Sequence, residues 1–229
     1  MRSHLVLLHG FTQTGRSWAP LVAELGERYR CFAPDLPGHG DAAERRPASF
    51  DAVAAYVAAV KAERFTLCGY SMGGRLALAT ALRIPARIER LVLIGASPGI
   101  ADATERARRR VADERLAERI ETIGIEAFVD EWAAQPLFAS QPRGVAAAAR
   151  ADRLRNTPAG LAAALRGMGT GVMDPLSDRL PDVPTTWIAG EHDAKYRAIA
   201  ERIGPSHVVA GAGHAAHLEQ PEAVATLVG

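Results

Sequence analysis

The sequence predicts an α/β fold: a mostly parallel sheet of about six strands, flanked by helices and interrupted after the fourth strand by a helical insertion. Three observations point there. Short apolar runs alternate with amphipathic stretches of helical period along most of the chain. Several of those runs are continuously apolar, as strands covered on both faces must be. Residues 97–181 carry helical patterns and no convincing strand, so they form an excursion from the sheet.

Strands are expected at residues 4–8, 29–33, 65–68, 91–94, 185–189 and 207–209. Helices are expected at 17–28, 50–62, 72–83, 193–203 and 219–228. Strand–helix alternation of this kind builds a parallel sheet with helices on both sides. Pro20, Pro85, Pro181 and Pro184 fall near expected element ends, where a missing N–H does least harm. Inside the excursion, helices are expected at 102–120, 126–134, 145–154 and 159–167. The chain thus divides into a core of residues 1–96 and 182–229 and a helical lid of residues 97–181, since such excursions often cover a site. The run Ala146 to Ala149 is helix-forming composition only, and no internal repeat or low-complexity segment is present.

Composition excludes several function classes. With 229 residues, 48% hydrophobic and 23% charged, the chain can bury a core without staples and is not a disordered segment. Lys and Arg number 27 against 26 Asp and Glu, so no general nucleic-acid surface is expected. Cys31 and Cys68 are too few and too far apart for a disulfide framework or a cysteine zinc site. No apolar run is long enough to span a membrane, and Leu5 to Leu8 is too short for a signal peptide. The expectation is a cytoplasmic protein without cofactor or metal, acting on a small molecule, with no nucleic-acid or membrane partner; its oligomeric state is not legible.

Gly69-Tyr70-Ser71-Met72-Gly73 follows an expected strand and opens an expected helix. A nucleophile elbow needs that context, because a tight strand-to-helix turn pushes the serine out at the carboxyl edge of the sheet. The plainer reading of Ser71 is a helix-capping serine. The partners should follow as acid, then histidine. Asp193 lies just past the 185–189 strand, and His214 follows the next strand in Ala210-Gly211-Ala212-Gly213-His214. Asp193 read plainly is a helix N-cap, and His214 read plainly is a loop histidine; the three together in this order carry the stronger reading. His9-Gly10-Phe11 ends the first strand, so the backbone N–H groups of Phe11 and Met72 are candidates for an oxyanion hole.

The arginines suggest which chemistry follows. Arg75 lies one helical turn beyond Ser71, where ester hydrolysis needs no long cation. Arg106, Arg108, Arg109 and Arg110 cluster early in the excursion beside Glu105, Asp113 and Glu114, a mixture that ordinarily marks a solvated helix face. Arg155 precedes Asn156-Thr157 and is open to either reading. Trp132 is either core or pocket wall. Cys68 is expected to be a buried strand residue.

The elbow, Asp193, His214 and the Asp35-Leu36-Pro37-Gly38-His39-Gly40 segment resemble the α/β-hydrolase superfamily across nearly the whole chain. Against that family's pattern, the chain lacks two strands before the His-Gly strand, which implies a small sheet. A narrower resemblance rests on Gly69 to Arg75, Ser97-Pro98-Gly99-Ile100, and Trp132 with Gln135 to Ser140. It extends through Leu154-Arg155-Asn156, Gly190 to Arg197 and Ala212 to His217. These blocks look like the 2-succinyl-6-hydroxy-2,4-cyclohexadiene-1-carboxylate synthases of menaquinone biosynthesis. The resemblance implies a Ser71, Asp193, His214 triad. It also implies Arg75, Arg109 and Arg155 holding substrate carboxylates, with Tyr70 and Trp132 lining the pocket. Where that family commonly has tyrosine after the tryptophan, this chain has Ala133, which implies a roomier pocket.

Three readings follow. The first is a lyase that eliminates pyruvate from a tricarboxylate by proton abstraction, without an acyl-enzyme. The second is a serine esterase using the same triad covalently. The third is a catalytically silent binding protein, which the intact triad disfavours. A metal site from His214, His217 and Glu219 has no zinc-type spacing, and the triad claims His214.

Overall fold

The computed structural model describes residues 2–229. Six strands form the sheet: β1 Ser3–Leu8, β2 Tyr29–Phe32, β3 Phe65–Tyr70, β4 Ile88–Ile94, β5 Thr185–Gly190 and β6 Ser206–Val209. Their order is β2-β1-β3-β4-β5-β6, and every pairing is parallel, so "mostly parallel" becomes wholly parallel among the described residues. Leu8 pairs with Gly69, Tyr70 with Ile94, Ile94 with Ile188 and Gly190 with Val209. The carboxyl ends are therefore level, and the loops that leave them share one edge. After β2 the order reverses across β1, which makes β1/β3 the switch point where open α/β sheets bind ligands.

The flanking helices explain the continuous apolar runs. Successive strand residues point to opposite faces. Val6, Leu8, Leu67, Leu91 and Leu93 pack on one side with α2 (Phe50–Ala58), α3 (Met72–Arg83) and α7 (Ala194–Ile203). Leu5, Leu7, Cys68, Val92 and Ile188 pack on the other with α1 (Ala19–Leu25), α8 (Ala216–Glu219) and α9 (Pro221–Val228). Both faces are covered, so both parities are apolar.

Helix ends depart from expectation where tight turns and proline intervene. The expected helix at 17–28 is a 3₁₀ turn at Gly15–Trp18, then α1, then a second 3₁₀ turn at Gly26–Arg28. The expected 50–62 helix stops at Ala58, and the closing helix is cut before Pro221. β4 begins three residues earlier than expected, because Ile88 pairs with Phe65.

Between β4 and β5 run α4 (Ala103–Ala133), α5 (Arg143–Arg153) and α6 (Pro158–Met168). The Asp102 carboxylate caps α4 by accepting from Glu105 N at 2.7 Å. The two helices expected at 102–120 and 126–134 are joined in α4 but interrupted at Gly124, whose φ of 80° is not helical. Ala117, Ile120, Phe128, Leu161 and Leu165 bury α4 against α6. Two polar ties bind the end of α5 to the loop after β1. The Thr14 N–H and hydroxyl donate to Asp152 at 2.9 and 2.5 Å. Asn156 donates to Thr12 O at 2.6 Å and to Arg153 O at 2.9 Å, and accepts from Gly40 N at 3.0 Å.

Candidate active site

Ser71 stands between β3 and α3 with φ 51° and ψ −109°, a conformation non-glycine residues rarely adopt. Its N–H still pairs with Ile94 O at 2.9 Å, so sheet bonding holds the turn in place. Glycine at 73 is what lets α3 cross the end of β1: a Cβ there would sit 1.9 Å from the Leu8 carbonyl oxygen. The strain pushes Ser71 out at the sheet edge.

The three expected partners converge. His214 Nδ1 donates to Asp193 Oδ2 at 2.6 Å, which leaves Nε2 to accept from the Ser71 hydroxyl at 3.1 Å. Asp193 also caps α7, accepting from Tyr196 N at 3.4 Å through its other oxygen. One carboxylate therefore both caps the helix and touches the histidine. Glu219 braces the His214 loop by accepting from Gly213 N at 2.6 Å and Ala215 N at 3.1 Å. His217 instead packs its ring 4.5 Å from Trp18 and 4.3 Å from Tyr70, centroid to centroid. His214, His217 and Glu219 thus serve three separate contacts and do not converge as ligands.

Ser71 and His214 open onto a cavity of about 240 Å³ whose wall also holds Phe11, Met72, Arg75, Arg109 and Trp132. Phe11 follows β1 and Met72 begins α3, so both candidate backbone donors border the serine. Arg75 donates to Met168 O at 3.1 Å, and burial lowers its guanidinium to about 10, leaving it charged near neutral pH. Arg109 donates through Nε to Asp113 at 2.7 Å while still bordering the cavity. The Phe11 and Trp132 rings meet edge-on at 5.2 Å, and the Trp132 indole N–H is buried without a partner. Ala133, next to Trp132, is half-buried, and its side chain does not reach the cavity lining.

Arg155 is not brought to Ser71. It lines a different cavity, with Gln13 and Arg16, and its Nη2 lies 3.7 Å from Asp41. A neighbour two positions earlier, the last residue of α5, is turned inward instead. That neighbour is Arg153, which is 2% exposed, with its guanidinium carbon 4.7 Å from the Phe138 ring centroid and Nε unpartnered. Burial lowers its pKa, and the nearby Tyr70 phenol partly offsets this. Tyr70 and Phe138 in turn lie 5.2 and 6.3 Å from the His214 ring. Arg153, Phe138 and Tyr70 thus stack beside the histidine without lining the Ser71 cavity, so Tyr70 lies behind the pocket wall it was expected to form. Nothing in the sequence set Arg153 apart from the other arginines of this segment. Tyr196 is the other residue the sequence did not single out; its ring is 4.7 Å from His214, and it lines the cavity.

Cys68 is fully buried in β3, and burial pushes its thiol up, so it is a packing residue. His9 donates to Gly10 O and accepts from Leu36 N, both at 2.9 Å, which joins β1 to the segment around Gly38. Among the described residues, no helix is long and apolar enough to cross a membrane.

The alpha/beta hydrolase family profile matches residues 5–227. The chain belongs to that family. Within it, the chain is 38% identical to the 2-succinyl-6-hydroxy-2,4-cyclohexadiene-1-carboxylate synthase of Enterobacter sp. (strain 638), over 96% of this chain and 88% of the relative. The solved structure of MenH from S. aureus is 33% identical with a TM-score of 0.92, covering 99% of this chain and 91% of that one. An esterase from Thermogutta terrifontis, solved with malate bound, is 26% identical with a TM-score of 0.83, covering 99% and 88%. Both solved structures thus share this chain's fold.

Proposed function

We propose that the chain is a lyase that eliminates pyruvate from 2-succinyl-5-enolpyruvyl-6-hydroxy-3-cyclohexene-1-carboxylate, giving 2-succinyl-6-hydroxy-2,4-cyclohexadiene-1-carboxylate for menaquinone biosynthesis. One observation carries the reading beyond family likeness: Arg75 and Arg109 both line the Ser71 cavity. A substrate with three carboxylates gives such cations partners, and planar guanidinium suits carboxylates in a water-poor site. In this role Arg153 takes the place first expected for Arg155. Residues 97–181 act as the lid that supplies Arg109, Arg153 and Trp132.

The chemistry follows from the triad. His214 Nε2 takes the Ser71 hydroxyl proton, with Asp193 stabilising the imidazolium that forms. Ser71 Oγ removes the ring proton beside the succinyl ketone, and the electron pair moves onto the ketone oxygen. The Phe11 and Met72 amides stabilise that enolate, and the N-terminus of α3 favours charge at Met72. When the enolate collapses, a double bond forms at the deprotonated ring carbon, the existing ring double bond shifts one position along, and the carbon–oxygen bond to the enolpyruvyl group breaks. The leaving enolate gains a proton from His214 and departs as pyruvate. No acyl-enzyme forms.

A coupled assay should detect pyruvate from the enolpyruvyl substrate with no added metal or nucleotide. The competing reading, a serine esterase, is favoured by the close Ser71–His214 contact and the esterase relative. Fast turnover of simple acyl esters without pyruvate release would select it.

A further inference from the structure

The cavity at Ser71 continues past Arg109. Arg109, Thr170, Lys195 and Tyr196 line both this cavity and an outer groove of about 690 Å³. The groove is bounded by the 97–102 loop leaving β4, the first turns of α4 and the outer face of α7. It therefore includes Ser97-Pro98-Gly99-Ile100, a motif the catalytic reading leaves without a role. Four cations reach it, Arg108, Arg109, Lys195 and Arg202, against the carboxylates Asp102 and Glu105. Asp102 is occupied capping α4, and Arg109 is paired with Asp113. Arg108 and Arg202 form no ion pair among the described residues, and Lys195 rests its ammonium 5.5 Å from the Tyr196 ring centroid. A mixed-charge helix face is normally only solvated. Here the face is concave, its cations outnumber its carboxylates, and its inner wall is the wall of the catalytic pocket.

We propose that this groove is an anion-collecting antechamber, which concentrates a small polycarboxylate and passes it over Tyr196 to Ser71. The proposal rests on the lyase reading for the identity of the anion. Clefts lined by one sign of charge accelerate encounter by about 10- to 1,000-fold at low salt, and they do so without altering the chemical step. Arg108 and Arg202, which line the groove but not the Ser71 cavity, therefore act on kcat/KM and leave kcat alone.

The experiment compares the natural chain, an Arg108→Glu/Arg202→Glu variant and Glu105→Gln, measuring pyruvate release as salt is raised. At low ionic strength the double variant should lose about tenfold in kcat/KM with kcat within about twofold, and Glu105→Gln should gain about twofold. At about 0.5 M salt, where screening acts within a few ångströms, the three should agree within about twofold. A deficit that persists at high salt, or none at low salt, overturns the proposal. Citrate titrated calorimetrically into Ser71→Ala, with and without the two reversals, supplies a readout independent of turnover. Weaker citrate binding in the reversed protein at low salt supports the groove even if no pyruvate forms, in which case the lyase reading alone fails. Unchanged citrate affinity overturns the groove.

Discussion

Ser71 and His214 meet at 3.1 Å, and Asp193 holds the far side of the imidazole at 2.6 Å. A serine so placed can act as base only while His214 can receive its proton. Ser71→Ala and His214→Ala should each lower pyruvate release by about 10³-fold or more, and Asp193→Asn by a comparable factor through the wrong tautomer. Steady-state turnover checks this, and a Ser71→Ala protein retaining a tenth of its rate would remove the serine from the mechanism. The two arginines of the α5 terminus make a sharper test. Arg153→Ala removes a buried cation and should cost at least about 2 kcal/mol in transition-state binding, or about 30-fold in kcat/KM. Arg155→Ala, whose side chain serves another cavity, should stay within about threefold. The reverse ranking would restore the assignment made from sequence. Ser71, Asp193 and His214 were legible because each sits just past a strand end in a fixed order. Arg153 was hidden because charge clusters in sequence do not say which face of a helix turns inward.

The pocket is assembled by ties between elements. Gly73 allows α3 to lie against the end of β1, with only 1.9 Å available between a would-be Cβ and Leu8 O. Gly73→Ala should therefore disrupt the elbow and lower both stability and turnover, measured by thermal unfolding alongside the pyruvate assay. Asn156 joins the end of α5 to Thr12 and Gly40 through three hydrogen bonds. Thr12 has φ 71°, unusual for a β-branched residue, and its carbonyl accepts one of those bonds. Asn156→Ala leaves buried groups unpaired and should cost about 1–3 kcal/mol. In a domain of this size that lowers the unfolding midpoint by about 2–4 °C per kcal/mol. A midpoint unchanged in calorimetry would show that the tie contributes nothing. Element types were legible from period and continuity of apolar residues, and the α3 bounds match those expected from sequence. The ends of α1 and α2 were not, since 3₁₀ turns are chosen by what the chain must pack against next.

At the scale of the molecule, burial holds three histidines neutral. Desolvation lowers His9, His39 and His217, the last to about 3, with neighbouring His9 adding to the effect at His39 and His214 at His217. The unfolded chain binds protons near pH 6.5 that the folded chain refuses. Stability from this source is thus complete above about pH 6.5 and declines as pH falls, by about 1.4 kcal/mol per pH unit for His217, whose folded value near 3 lies well below that range. The unfolding midpoint should drop between pH 7 and pH 5, and His217→Asn should flatten that slope; an equal slope in the variant would refute the account. By itself the sequence determined the parallel sheet, the helical excursion and the grouping of Ser71, Asp193 and His214, because strand burial, turn chemistry and chain order are local or periodic properties. Only the tertiary structure decided which arginines line the Ser71 cavity, that α5 is tied to the first loop, and that this cavity shares Arg109, Thr170, Lys195 and Tyr196 with an outer groove. Those facts depend on how distant segments meet, and the rotation of a helix about its axis is set by the partner it packs against.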